Sequence, residues 1–404
     1  MKNKLFTLCN ENKVLRDPIH GYIHVDYQII YDLISTNSFQ RLHRVKQLGA
    51  SFVVYPTAEH SRFSHCLGVY EIARRIVSEN IYIAQALKDE ERIYVMIAAL
   101  LHDLGHGPFS HCFERISGID HELVGTNIFL KDSDIHGVLE SYQIGLSKII
   151  ADIINHNYPK SLCWQIISSQ LDADRMDYLL RDAYFTGTKY GEFDLERILR
   201  TLRVHDDSLV VKASGIYAVE DYLMARFHMF WQVYYHVNIR VFEQILLALT
   251  KRISIISKTS DDEFNDFDKL IQPENIDINL YLSFDDASMI ELFKKLSKHR
   301  DPIIADLASR LLNRNLFKEY PSTSENYRML KEKLEAKGLD IQYYLLQDSP
   351  CFTATRPYIS NGKQKINILL KDGSIKEFSE VSSIMKSLSQ ANEVHDVFLF
   401  APEI

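Results

Sequence analysis

Between Glu91 and Leu101 the chain is almost wholly apolar, and it then runs into His102-Asp103-Leu104-Gly105-His106-Gly107-Pro108-Phe109-Ser110-His111. No feature of the sequence limits the fold more. A helix apolar on nearly every face must lie inside a bundle. Glycine and proline then end it. One turn behind His102, on the same face, stand Ala98, Ala99 and Val95. The imidazole is therefore aimed at the interior. The longest uninterrupted apolar stretch, Tyr94 to Leu101, is far short of the ~20 residues a bilayer span requires.

Helical spacing dominates the first 250 or so residues. It predicts helices over Ser38–Leu48 with Gly49 as the stop, from His65 to about Ala86, over Glu91–His102, from about His121, Tyr142, Leu171 and Asp194, and from Val219 to Lys251. The polar, acidic stretch 257–269 reads as a connector. Helices follow near Asp285 and Asp301, where Asp301–Pro302 is a good N-cap and first-turn pair. Beyond Gly338 the period shortens. Ile341–Asp348 reads as a strand, Lys365–Phe378 as a hairpin turning on Asp372–Gly373, and Val394–Pro402 as a last strand after a short helix from about Ser379. The expected class is mainly α: a helical bundle over 1–260 with a smaller C-terminal α+β appendage over 261–404. There is no internal repeat.

Sixteen histidines are a heavy load, and their placement matters more than their number. His65 shares a helix face with Val69, Ile72, Ala73 and Ile76, so it too points inward. Two such histidines alone could be core residues. The stretch Leu171-Asp172-Ala173-Asp174-Arg175-Met176-Asp177-Tyr178 changes the balance. Asp174, Tyr178 and Asp182 are spaced four apart and line one face. Acid, phenol and acid beside Met176, Leu179 and Leu180 is an odd packing surface, although a solvated face would also have this pattern. Two imidazoles and two carboxylates converging in a bundle make a mixed nitrogen and oxygen site suited to a hard or first-row divalent ion. The His-Asp dipeptides at His205–Asp206 and His395–Asp396 lack such flanks, so the dipeptide alone carries no weight.

HDLGHGPFSH, with the upstream Arg62-Phe63-Ser64-His65, the downstream Leu171–Tyr178, Asp17-Pro18-Ile19-His20-Gly21 and Phe39–Gly49, resembles the HD-domain phosphohydrolases. Within them it is most similar to the deoxynucleoside triphosphate triphosphohydrolases. The resemblance covers about residues 15–240. It implies an HD-domain helical bundle and makes His65, His102, Asp103 and Asp174 ligands of a divalent metal: manganese, magnesium, iron, nickel or zinc. His106, His111 and His121 match the family's further active-site histidines, and Glu122 could orient His121. Gln47 falls where the family contacts the deoxyribose. Tyr178 and Asp182 fall where it reads the 3′-hydroxyl, Arg62, Arg175 and Arg226 where cations meet the triphosphate, and Tyr234 near base and sugar. Arginine suits a triphosphate because it stays charged and binds oxygens in pairs. Expelling a nucleoside alkoxide calls for an acid titrating near neutrality, with His111 the first candidate and His121 its competitor.

The implied reaction converts dNTP and water to deoxynucleoside and triphosphate. The scaffold also permits another nucleotide phosphatase or phosphodiesterase, or a catalytically silent nucleotide-binding regulator. The family implies a homodimer or homotetramer and a possible activating nucleotide. In guanine-nucleotide-regulated relatives an aspartate and an arginine flank the FQRL segment; here Ser35 and His43 stand there, with Gln40 and Arg41 retained. Arg175 replaces a lysine. Lys and Arg total 46 against 54 Asp and Glu, a net charge of −8, which argues against strong duplex nucleic-acid binding. Five scattered cysteines without CxxC argue against a disulfide framework. With no signal-peptide core at the start and no bilayer span, a cytoplasmic protein without a membrane partner is expected.

Overall fold

The computed structural model describes residues 4–131, 133–257, 265–271, 277–349, 358, 365–389 and 397–403. Strands β1 (Leu8–Asp17) and β2 (Gly21–Tyr27) form an antiparallel hairpin, followed by helices α1 (Gln28–Ile34) and α2 (Asn37–Gln40). Next come α3 (Arg62–Glu79), α4 (Ile81–Ala86), α5 (Asp89–Leu101), α6 (His111–Ser117), α7 (His121–Lys131), α8 (Ser133–Tyr142), α9 (Leu146–Ile154), α10 (Ser161–Gln165), α11 (Ala173–Thr186) and α12 (Leu195–Thr201). Strands β3 (Leu202–His205) and β4 (Ser208–Lys212) precede α13 (Ile216–Met229) and α14 (Val237–Ile256).

The rest comprises α15 (Asn265–Leu270), α16 (Ile278–Ser283), α17 (Asp286–Leu296), α18 (Pro302–Leu312), β5 (Lys318–Pro321), α19 (Ser324–Ala336), α20 (Ile341–Tyr344), β6 (Leu346–Asp348), β7 (Asn367–Leu369), β8 (Ile375–Glu377), α21 (Phe378–Val381), α22 (Ser383–Ser389) and β9 (Phe398–Ala401). The chain is thus mainly α, with small sheets in the order β3-β4-β7-β8 and β5-β9-β6. The β7–β8 hairpin turns at Asp372–Gly373 as expected, with Gly373 at φ +87°. It joins β4 in parallel, so the C-terminal segment completes a sheet begun more than 150 residues earlier, at β3 and β4.

α5 is the central helix. Glu91 accepts a hydrogen bond from the Lys88 N–H at its start, and Asp89, Glu90 and Glu91 place negative charge at the positive end of the helix dipole. Ile93 through Leu101 are all buried, each aliphatic side chain contributing about 1.5–3 kcal/mol. α3 packs along α5, α11 lies against α3, and α14 packs on α18. No described helix is long and apolar enough to cross a membrane.

Four expectations are corrected. Ser38–Leu48 is not one helix: α2 ends at Gln40, a 3-10 turn spans Arg41–Arg44, and Val45 is extended. The backbone N–H of Lys46 goes to Asp286 and that of Gln47 to the His60 carbonyl. Tertiary acceptors have replaced the helix's own carbonyls. The segment from Val219 is interrupted by a π turn over Phe230–Tyr234 before α14 starts. Such a widened turn leaves the apolar spacing nearly helical. Ile341–Tyr344 is helical, started by the Asp340 cap, and only Leu346–Asp348 is a strand. Of the stretch 257–269 read as a connector, residues 265–269 lie in α15 instead, while 258–264, the His395–Asp396 pair and Cys351 lie outside the described residues.

Candidate metal centre

Three helix ends meet at one point. α3 begins under the Ser61 cap and carries His65 in its second turn. α5 closes at His102–Asp103. α11 starts at the Asp172 cap, whose carboxylate accepts from the Arg175 N–H at 2.8 Å, and it carries Asp174. His65 Nε2 lies 3.1 Å from Asp174 Oδ1, and His102 Nε2 lies 3.6 Å from the same oxygen. One donor atom each from His65, His102 and Asp174 falls within 4.8 Å of the others. Asp103 stands beside them, 3.4 Å from His102 Nε2 and 3.5 Å from His65 Nε2, and also grips Arg62.

The second nitrogen of each imidazole decides what the first can do. His65 Nδ1 faces Asp177 Oδ2 at 2.8 Å, and His102 Nδ1 faces the Ala99 carbonyl at 2.9 Å. Both partners only accept, so both Nδ1 atoms carry the hydrogen. The Nε2 lone pairs therefore point into the site, and neither Nε2 has a hydrogen-bond partner. Arg62 offsets only Asp103, so the carboxylates facing the two Nε2 atoms draw positive charge there, a proton or a metal ion. Burial opposes charge on His65, but Asp174 and Asp177 outweigh it and raise its pKa to about 10. His102 rises against its own burial, chiefly through Asp103. The pocket favours a cation, and its donor set fits a divalent ion.

A second group lies beyond Asp103. His106 Nε2 is 3.9 Å from Asp103 Oδ1. The His106 ring centroid is 3.8 Å from that of His121 and 5.0 Å from that of His111. Burial and the neighbouring Arg62 and His121 hold His106 well below the usual imidazole range, hence neutral. His111 is mostly exposed, with its Nδ1 2.7 Å from Glu114 Oε2. The carboxylate on His121 is also Glu114. This corrects the expectation of Glu122, which is exposed on α7.

Of the remaining candidates, Tyr178 has its ring 6.5 Å from that of His65 and 6.1 Å from that of Tyr234, and burial raises its pKa to about 12. Asp182 accepts from His60 Nε2 and from the Tyr234 hydroxyl, both at 2.8 Å. Gln47 Oε1 and Arg226 Nε are buried without partners. Arg62 is held by Asp103 and, at 2.8 Å, by the Ser110 hydroxyl. Arg175 is tied to Asp172 and the Ser169 carbonyl. Arg41 is buried, and His43 stacks on Phe63 with ring centroids 3.6 Å apart.

Sequence reasoning assigned no role to Asp177, His20, Arg181, His60 or Glu114. Asp177 Oδ1 accepts from His20 Nε2 at 2.6 Å, and both its oxygens meet Arg181, which also reaches Asp17 at 2.8 Å. Gly68 makes the room: a methyl group there would overlap the Asp177 carboxylate and the Arg181 guanidinium. The available signal was Asp177 lying three residues after Asp174, with His20 inside the upstream Asp17–Gly21 motif.

Residues 62–182 match the HD domain model and residues 193–338 the HD associated region. The chain is 41% identical over 394 residues to the uncharacterized protein YwfO of Bacillus subtilis, covering 94% of this chain and 90% of that one. It is 30% identical over 327 residues to the deoxynucleoside triphosphate triphosphohydrolase SAMHD1 homolog of Dictyostelium discoideum, covering 76% of this chain and 60% of that protein. The crystal structure of a phosphohydrolase from Bacteroides thetaiotaomicron superposes with a TM-score of 0.85 at 29% identity, covering 97% of this chain and all of that one.

Proposed function

The chain belongs to the HD-domain phosphohydrolase family, and from that premise we propose that it converts dNTP and water to deoxynucleoside and triphosphate with a bound divalent ion. The observation carrying this reading is the pairing of the His65–His102–Asp174 centre with a preorganised polar wall. That wall is Asp182, held by His60 and Tyr234, one turn from Tyr178. A carboxylate locked in that way is suited to recognise a sugar hydroxyl, and the relative in Dictyostelium named above supports the substrate class.

His65, His102, Asp103 and Asp174 would hold the ion. A divalent ion there supplies Lewis acidity at a phosphoryl oxygen and lowers the pKa of water from ~15.7 toward ~7. His111 would protonate the leaving 5′-oxygen; its exposure and the support of its Nδ1–H by Glu114 favour that role. His121 shares Glu114 but is less exposed. Neutral His106 can donate or accept one hydrogen bond between the two groups. Arg226, with its buried unpartnered Nε, is the arginine most available to phosphate oxygens. Arg62 and Arg175 contribute charge from their carboxylate pairs, and Gln47 offers an amide toward the sugar. A homodimer or homotetramer in the cytoplasm belongs to the same proposal, with a nucleotide activator as an open arm of the assay.

Product identification on each dNTP tests it, with manganese, magnesium or iron and with or without guanine nucleotide. Intact triphosphate and deoxynucleoside are expected. Orthophosphate or pyrophosphate alone would reassign the enzyme as another phosphatase. Binding without turnover by folded, metal-loaded protein would make it a regulator.

A further inference from the structure

Residues 281–286 lie some 175 positions beyond the histidine-rich loop, yet they hold it. The Tyr281 hydroxyl donates to the Gly105 carbonyl at 2.9 Å. Arg41 donates to the His106 carbonyl at 2.9 Å and, through Nε and Nη2, to the Phe284 carbonyl at 3.0 and 2.7 Å, stapling the two segments together. Asp286 reaches furthest. It is 5% exposed. Its Oδ1 accepts from the Phe109 N–H at 2.8 Å and its Oδ2 from the Lys46 N–H at 3.0 Å.

Those two amides sit where the backbone is least able to look after itself. Phe109 and Ser110 have φ of +55° and +54°, left-handed values in residues that carry side chains. Such conformations cost of order 1–3 kcal/mol each and persist only where surroundings impose them. Gly49 (φ +51°) passes so close that a Cβ would lie 2.6 Å from the Phe109 carbonyl oxygen. Ser110 then donates to the Lys46 carbonyl at 2.7 Å and accepts from Arg62 Nε at 2.8 Å, and Arg62 grips Asp103. A continuous line runs from α17 to the metal centre.

We propose that Asp286 is a positioning residue of the hydrolytic site. By chelating the Phe109 and Lys46 amides it holds the loop between α5 and α6 in its strained form, which sets His111 beside His106 and, through Ser110, keeps Arg62 on Asp103. The proposal rests on the hydrolase reading above for its kinetic consequence but not for its structural one. Asp286 touches no reacting group, so its loss should lower kcat while leaving KM and bound metal largely as they were.

The test compares wild type with Asp286→Asn and Asp286→Ala, using dGTP and manganese and following triphosphate. Arg44→Ala, which removes only the outer pair with Asp285, is the control. Loosening a reacting geometry by about 1 Å costs on the order of 100-fold, so Asp286→Ala should lose at least about tenfold in kcat with KM within about threefold and manganese content unchanged. Asp286→Asn, keeping one acceptor, should fall between, and the control should match wild type. An unchanged kcat in Asp286→Ala, or a kcat loss matched by metal loss, overturns the proposal. If the variants do not fold, amide hydrogen exchange on the wild type decides: Phe109 and Lys46 should exchange as slowly as amides in α17, and fast exchange refutes the clamp. Slow exchange in a protein that cleaves no nucleotide would keep the clamp and remove the hydrolase.

Discussion

Asp177 lies behind His65 rather than in front of it. Fully buried, it takes the Nδ1–H of His65 on one oxygen and His20 on the other, with Arg181 neutralising both. Burial works against its charge, but Arg181, His20 and His65 hold its pKa well below the usual carboxylate range. That negative charge keeps a hydrogen on His65 Nδ1. Asp177→Asn should weaken binding of manganese by about 10–100-fold, read by competition with a chromophoric chelator; unchanged affinity would mean that packing alone orients the ring. His111→Ala should behave in the opposite way. Bound metal should persist while kcat falls by about 10²–10⁴, and equal loss of metal would assign His111 to the ion instead. Ligand-type residues were readable in the sequence because few side chains can bind a hard cation. Asp177 was not, since nothing local says whether an aspartate faces the ion or the ligand behind it.

At the level of elements, α17 and α18 start on the devices their sequences announce. Asp285 accepts from the Ser288 N–H at 3.0 Å, and Asp301 accepts from the N–H groups of Ile303 and Ile304, both at 3.0 Å, with Pro302 in the first turn. Desolvation pushes the Asp301 carboxyl up, but Arg252 and those amides outweigh it and leave its pKa lowered. A depressed folded pKa means the stabilisation is complete above the unfolded value of ~3.9 and is lost as pH falls through the lower, folded value. Asp301→Asn keeps the cap acceptor and removes the charge, so it should cost about 0.5 kcal/mol at pH 7. In urea titrations the gap should hold from pH 7 to about 5 and narrow below about 4; a gap that widens in acid would contradict the assignment. Caps of this kind are local and were legible. The 3-10 turn at Arg41–Arg44 was not, because its cause is a guanidinium buried between two distant carbonyls.

Across the whole molecule, an ion at the centre would join α3, the end of α5 and α11, elements whose packing already forms the core of the bundle. Binding only the folded state, manganese at ~100 times its dissociation constant should add about 2.7 kcal/mol. The thermal midpoint should therefore rise with manganese, fall after chelation, and stop responding in Asp174→Ala. A midpoint indifferent to manganese in the wild type would leave the centre without an ion. The helical class, the C-terminal hairpin and the inward aim of His65 and His102 came from the sequence by itself, because hydrophobic period and turn chemistry are properties of neighbours along the chain; the full ligand set came only from the family resemblance. Which carboxylate backs which imidazole, Glu114 rather than Glu122 on His121, and the hold of Asp286 on Phe109 were decided only by tertiary structure. Those contacts join different elements, most of them remote in sequence, and a buried hydrogen bond to charge, worth about 1.5–3 kcal/mol, overrides helix propensities of at most ~0.7 kcal/mol for ordinary residues.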